Sequence, residues 1–171
     1  SNSSVQFATI NANIVTNLDA IGFRKTDNLL YGIHPANHTL HRIDATGTVE
    51  NLATLPLDPS LFYMAGDVSP DGKYLVSIGS TGAGIDVQLA KTNLENGAFT
   101  TEFTSLNGST RLVDIAFDPY TSVLYGYDAA NRKIAGRNRI NAARLAPVFS
   151  MSFKLENLSA ASLLILPRMY K

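Results

Sequence analysis

Residues 65–78 read AGDVSPDGKYLVSI, and this stretch decides the fold. It opens on a short strand of small residues, and a second, apolar strand begins at Leu75. Between the two, Pro70 fixes the backbone angle φ and Asp71-Gly72 tolerates the positive φ of a tight turn. The stretch therefore predicts a β-hairpin.

The same hairpin pattern occurs three times along the chain. Its first-strand anchors, each followed seven residues later by a leucine, are Phe23 with Leu30, Val68 with Leu75, and Phe117 with Leu124. Ten residues further on stand Leu40, Ile85 and Ile134, which we predict to lie on the third strands. The anchors are separated by 45 and 49 residues. One four-stranded propeller blade occupies about 40 to 50 residues, so each repeat predicts one blade.

The predicted fold class is all-β, a single β-propeller-like domain over residues 1–171. About three four-stranded antiparallel blades are expected at residues 18–62, 63–111 and 112–157, with part of a fourth blade at 158–171. We place the four additional residues of the second repeat around the Asn96-Gly97 turn. Propellers close with about four to eight blades, so this incomplete set would leave two blade faces open. Either the chain is a fragment of a longer propeller, or two copies close the ring.

Composition excludes several classes of protein and of site. The 171 residues contain no cysteine, which excludes disulfide frameworks, thiolate metal sites and cysteine nucleophiles. No apolar run approaches the roughly 20 residues that span a bilayer, so membrane insertion is not expected.

Charge is divided unevenly along the chain. Residues 1–128 contain 13 Asp and Glu against 6 Lys and Arg, and residues 129–171 contain one acid against 8 basic residues, which gives net charges of −7 and +7. The basic part lacks the interleaved aromatic residues of a nucleic-acid-binding arm, so no nucleic-acid partner is expected. The pattern favours a basic segment that lies against the acidic part or against a neighbouring copy.

Neither the histidines nor the glycine-rich segment predicts a metal or cofactor site. His34, His38 and His41 are spaced for zinc binding on a helix, but they fall on a predicted hairpin. We expect His34 and His41 to face each other and His38 to project into solvent. The glycines of residues 79–84 are expected to form a loop, and that segment lacks the lysine and the following helix of a phosphate-binding loop. No cofactor and no catalytic residue are predicted.

Two carboxylates are the candidate ligand-binding residues. Asp67 and Asp114 lie on predicted innermost strands, where a propeller lines an axial channel that can bind a ligand or calcium. They occupy different positions within their repeats. The alternative interpretation is that each accepts hydrogen bonds from backbone amides of adjacent blades.

Four Asn-x-Ser/Thr sequons occur, at Asn2, Asn37, Asn107 and Asn157. The motif is the acceptor for N-linked glycans in exported proteins, and the glycosylation candidates are Asn37, Asn107 and Asn157. The sequons agree with export into a glycosylating compartment.

Several segments together carry a resemblance to a known family. These are AIGF at 20–23, DNLLYGI at 27–33, LHRID at 40–44 and AGDVSPDGKY at 65–74. They resemble an uncharacterised β-propeller-like repeat domain of secreted and surface proteins, over about residues 18–130. Lactonase-like propellers share the SPDGKY turn and are more distantly similar. The resemblance implies an extracellular or cell-surface location and carries no catalytic residue with it.

The expected function is that of a non-enzymatic extracellular propeller module for adhesion, self-assembly or protein interaction. Its expected partners are other copies or other domains of a longer chain. The first alternative is a propeller hydrolase, of the lactonase or glycosidase type, with a site in the axial funnel around Asp67 and Asp114. The second alternative is a structural repeat that stacks into a fibre.

Overall fold

The computed structural model describes residues 17–137 and 149–151, together with Thr9. Within these residues the secondary structure elements are twelve β-strands and no helix. The strands form three four-stranded antiparallel sheets, each built from four consecutive strands. The predicted all-β, propeller-like fold is therefore confirmed. The single-domain extent and the repeat boundaries stay predictions, and the partial fourth repeat at 158–171 lies outside the described residues.

We refer to the three sheets as blades 1, 2 and 3. Blade 1 consists of β1 (Asp19–Arg24), β2 (Leu29–Ile33), β3 (Thr39–Ile43) and β4 (Val49–Thr54). Blade 2 consists of β5 (Phe62–Val68), β6 (Tyr74–Ser80), β7 (Asp86–Asn93) and β8 (Thr101–Ser105). Blade 3 consists of β9 (Leu112–Phe117), β10 (Leu124–Asp128), β11 (Lys133–Arg137) and β12 (Phe149–Met151). No helix in the described part of the chain is long and apolar enough to cross a membrane.

The hairpin anchors read from the sequence are direct partners in the sheets. Phe23 pairs with Leu30, Val68 with Leu75, and Phe117 with Leu124. The seven-residue spacing therefore reports one hairpin register that is kept in all three blades. The first strands are also neighbours, because β1 lies against β5 and β5 lies against β9, as expected for the innermost strands of a propeller.

The third-strand anchor of blade 2 was predicted wrongly. Leu40 pairs with Ile33 and Ile134 pairs with Tyr127, but the residue that pairs with Ile78 is Leu89, and Ile85 precedes β7. The β6–β7 connection therefore takes up four additional residues, although the sequence favoured the Asn96-Gly97 turn. β6 also includes the first two residues of the glycine-rich segment, which was predicted to be a loop.

We call the two faces of a blade leading and trailing. The leading face is the one on the side of the preceding blade in the chain, and the trailing face is the one on the side of the following blade. The first core cluster lies between the trailing face of blade 1 and the leading face of blade 2, and includes Tyr31, Ile33, Leu40, Val68 and Leu75. The second cluster lies between blades 2 and 3, and includes Val76, Ile78, Leu89, Ile115 and Leu124. The core is therefore built from contacts between blade faces.

Two glycines allow β1 and β5 to approach each other closely. A Cβ atom on Gly22 would clash with the backbone nitrogen of Val68, and a Cβ atom on Gly66 would lie 2.6 Å from the Cβ atom of Ala20. Backbone atoms cannot yield as the end of a long side chain can. The absence of side chains at these two positions therefore sets the distance between the first two blades.

The glycine contact gives a prediction for stability. Gly22→Ala should lower the free energy of unfolding by about 1–3 kcal/mol, because the added methyl group overpacks a backbone contact. Chemical denaturation measures this change. Gly82→Ala is the matched control, since a Cβ atom there would meet only an atom of Phe62 at 3.9 Å. If the two variants lose the same stability, close approach at Gly22 does not constrain the blades.

Candidate functional site

The candidate site begins with Asp67 on β5, which accepts two backbone hydrogen bonds. One carboxylate oxygen accepts from the amide of Val68 at 2.8 Å, and the other accepts from the amide of Phe117 on β9 at 2.7 Å. Burial raises the pKa of Asp67, the two amides lower it in part, and the negative charge of Asp114 adds to the rise. Asp67 thus ties blade 2 to blade 3, as the alternative interpretation of the sequence expected for such an aspartate.

Asp114 lies on β9 and is exposed. Its carboxylate accepts a hydrogen bond of 2.9 Å from the amide of the next residue, Ile115. The structure brings Asp114 close enough to Asp67 for the two charges to interact. Two carboxylates held by backbone amides can bind a cation or hold an adjacent strand, and the bond from the amide of Phe117 to Asp67 performs the second task.

Two buried carboxylates, Asp86 at the start of β7 and Asp128 at the end of β10, were not predicted from the sequence. Asp86 accepts from the hydroxyl of Ser80 at 2.8 Å and from the amide of Leu112 at 2.7 Å, so it joins β7 to the first strand of blade 3. Asp128 accepts from the Asn131 side chain at 2.7 Å and from the Arg111 amide at 3.2 Å. Burial disfavours the charge on Asp128, but these hydrogen bonds outweigh that cost and lower its pKa.

The histidines form a pair and a separate packing contact. The rings of His34 and His41 lie 6.3 Å apart, as predicted. The prediction for His38 is wrong, because this side chain is buried and contacts the Tyr63 ring edge-on at 5.5 Å. Burial lowers the pKa of His41, and an interaction with Asn51 opposes that effect in part. Among the described residues no group of three or more His, Asp or Glu side chains could hold a metal ion.

Two of the three glycosylation candidates are described, and both are exposed. The side-chain oxygen of Asn37 accepts from the amide of Thr39 at 3.1 Å, within the β2–β3 turn. Asn107 accepts from the hydroxyl of Ser109 at 2.7 Å, in the connection between blades 2 and 3. Asn157, like the sequon at Asn2, lies outside the described residues. Glycosylation at these positions stays a prediction.

The leading face of blade 1 is open. Leu30 is 39% exposed, although the leucines at the same repeat position, Leu75 and Leu124, are 1% and 5% exposed. Its partner Phe23 is also exposed, whereas Val68, at the same position in blade 2, is buried. The difference arises because the blades that bear Leu75 and Leu124 each have a preceding blade, and no described residue covers Leu30 in the same way.

The trailing face of blade 3 is open in the same sense. Tyr127 is 43% exposed, while its repeat equivalents Ile33 and Ile78 are 0% and 2% exposed. Tyr125 and Ile134 are exposed beside it. These side chains are large and apolar, and their equivalents form the trailing halves of the two core clusters. The sequence predicted open faces, and alignment of the repeats by their paired strands identifies the residues on them.

A family model described as a repeat of unknown function (DUF6923) matches residues 1–151 of the chain. The chain belongs to the DUF6923 repeat family. Membership in an uncharacterised propeller-like repeat family, expected from the hairpin motifs, is thereby confirmed. No curated protein matches the sequence.

Solved structures similar to this DUF6923 repeat are β-propeller proteins. A chain of the nidogen/laminin complex is 14% identical with a TM-score of 0.58, over 80% of this chain and 50% of that chain. A putative 6-phosphogluconolactonase from Bacteroides fragilis is 18% identical with a TM-score of 0.56, over 78% of this chain and 37% of that one. A chain of the mitotic checkpoint complex is 15% identical with a TM-score of 0.54, over 79% and 37%. The repeat thus spans between a third and a half of these chains, and the likeness shows the fold.

The bonds of Asp67 give a second prediction. Asp67→Ala should lower the free energy of unfolding by about 1–3 kcal/mol, because the amide of Phe117 loses its acceptor. Asp114→Ala is the matched control and should cost under about 1 kcal/mol, since the side chain is exposed and bonds the amide of the next residue. Equal losses in the two variants would contradict a bridging role for Asp67.

The same pair of proteins should also show a pH dependence. The pKa of Asp67 is raised above its ordinary value of 3.8, so the folded state takes up a proton before the unfolded state does as the pH falls. Wild type therefore gains stability relative to Asp67→Ala between neutral pH and about pH 4. Denaturation curves of both proteins at about pH 7 and about pH 4 test this expectation, and a cost of substitution that shrinks at the lower pH would contradict it.

Proposed function

We propose that this protein is a non-enzymatic interaction module that acts through the open leading face of blade 1 and the open trailing face of blade 3. The observation that carries the proposal is the contrast in exposure between repeat equivalents. The same apolar positions are buried wherever the described residues form a neighbouring blade and exposed where they form none. Large exposed apolar faces of this kind are typical of interaction surfaces.

The state of the axial carboxylates supports a non-enzymatic function over the hydrolase alternative. Each carboxylate oxygen of Asp67 accepts a hydrogen bond from a backbone amide, which gives this side chain a structural task. The exposed Asp114 bonds its own following amide. A hydrolase needs several polar groups that converge on a substrate. The described innermost strands carry three carboxylates, Asp19, Asp67 and Asp114, of which Asp67 and Asp114 lie close enough for their charges to interact.

The proposed location is extracellular or at the cell surface. Two sequons are exposed where a glycosylating enzyme can reach them, Asn37 in the β2–β3 turn and Asn107 in the connection between blades 2 and 3. Their side-chain oxygens hold the local turns, and the amide nitrogens that would carry a glycan take no part in those bonds.

Catalysis is tested directly with lactones. The purified chain should hydrolyse a panel of sugar lactones at the rate of buffer alone, and Asp114→Asn should behave as wild type does, because Asp114 activates no substrate in this account. A pH-stat assay measures the rate. Hydrolysis that exceeds the buffer rate and disappears in Asp114→Asn would replace the interaction module with the hydrolase alternative.

The interaction surfaces are tested by hydroxyl-radical footprinting. In extracts of cells that produce the protein, Tyr125 and Tyr127 should be oxidised at least about threefold less than in dilute purified chain, because a bound partner excludes water from the blade face. Tyr120 lies on the β9–β10 turn and is 92% exposed, so it should react equally in both samples. Equal oxidation of all three tyrosines would contradict the proposal.

A further inference from the structure

We propose that a second copy of this chain covers the open faces, with the trailing face of blade 3 of each copy packed on the leading face of blade 1 of the other. Two copies then close a ring of six blades. This inference rests on the proposed function, because it names the partner for the same two surfaces.

The two open faces are the two halves of one repeated contact. Between blades 1 and 2, Ile33 and Leu40 on the trailing face meet Leu75 on the leading face. Between blades 2 and 3, the equivalent residues Ile78 and Leu89 meet Leu124. The open trailing face offers Tyr127 and Ile134 at these positions, and the open leading face offers Leu30. A second copy therefore supplies to each face the residue types that cover it elsewhere.

The residues between neighbouring innermost strands differ between the two contacts within the chain. Between blades 1 and 2, Gly22 on the trailing face and Gly66 on the leading face bring the backbones into contact. Between blades 2 and 3 the equivalent positions are Asp67 and Ile115, which both carry side chains. The open faces offer Ala116 and Ile21 at these positions, and both side chains are exposed. The contact between copies therefore resembles that between blades 2 and 3, with room for the bulky Ile21.

The number of described blades also fits a ring of two copies. Two copies of the three described blades give six, within the range of about four to eight in which propellers close. A ring of two copies has twofold symmetry, and it buries both open faces of each copy.

Charge adds a reason for a second copy of this chain. Residues 1–128 carry a net charge of −7 and residues 129–171 carry +7. In a head-to-tail pair, blade 3, which contains Lys133 and Arg137 of the basic segment, contacts blade 1 of the partner, which belongs to the acidic part. Complementary charges favour this orientation over a contact between two identical faces.

The experiment uses one charged variant for each face. Leu30→Glu places a carboxylate on the open leading face, and Tyr127→Glu places one on the open trailing face. Light scattering coupled to size-exclusion chromatography should give wild type twice the chain mass of 18.4 kDa. Each variant alone should dimerise at least about tenfold more weakly, since every contact in its ring contains one buried, unpaired charge. Tyr120→Glu is the control on an exposed turn and should keep the mass of wild type.

Mixing the two variants separates head-to-tail contact from other arrangements. A mixed pair has two contacts. One joins the trailing face of Leu30→Glu to the leading face of Tyr127→Glu, and neither of these faces is altered. The other contact contains both introduced charges. The mixture should therefore recover association that neither variant shows alone. Circular dichroism and the unfolding temperature of each variant check that its blades remain folded.

Other outcomes overturn the ring of two copies. A wild type that stays monomeric at every concentration would show that a second copy is not the occupant, and the lactone and footprinting results would then decide the proposed function independently. A mass that grows without limit would show head-to-tail contacts that do not close, which corresponds to a fibre. If Tyr127→Glu dimerises as wild type does, two leading faces meet each other and the head-to-tail arrangement is wrong.

Discussion

Contact between successive blade faces is the constraint on which the rest of the structure depends. A single four-stranded sheet of this chain has two apolar faces, and neither can be buried within the sheet itself. At the first contact, Gly22 and Gly66 let the innermost strands touch at the backbone, which brings Tyr31 and Leu75 into one core. Every blade is thus stabilised by its neighbours, and a blade without a neighbour leaves an apolar face in water.

Polar groups fix how far the blades turn against each other. Between blades 1 and 2, the Arg24 guanidinium donates to the backbone oxygen of Gly72 at 2.6 Å and to Asp27 at 2.8 Å, which joins two turns. Between blades 2 and 3, the carboxylates of Asp67 and Asp86 accept hydrogen bonds from backbone amides of β9. Such bonds satisfy groups that packing has removed from water, so they specify one alignment of blades that apolar contact alone would leave variable.

Sequence patterns predicted what depends on local register, and missed what depends on contact between blades. The spacing of Val68 and Leu75 is a property of one hairpin, so the strands and the all-β fold could be predicted. The length of the β6–β7 connection could not be predicted, because Ile85 and Leu89 are both apolar. Only the pairing of Leu89 with Ile78 shows which of the two is the third-strand residue. The sequence placed Asp67 correctly on an innermost strand. It did not predict the hydrogen bond from the amide of Phe117 to Asp67, because these two residues lie 50 positions apart along the chain.

A crystal structure of the purified chain tests the central claim most directly, that the open blade faces are halves of one repeated contact. We expect Tyr127 and Ile134 of one copy to pack on Leu30 of another, in the register that Ile78 and Leu89 show against Leu124 within the chain. A ring of six blades should result. A structure in which Leu30 and Tyr127 face solvent, or in which two equivalent faces meet, would contradict the account.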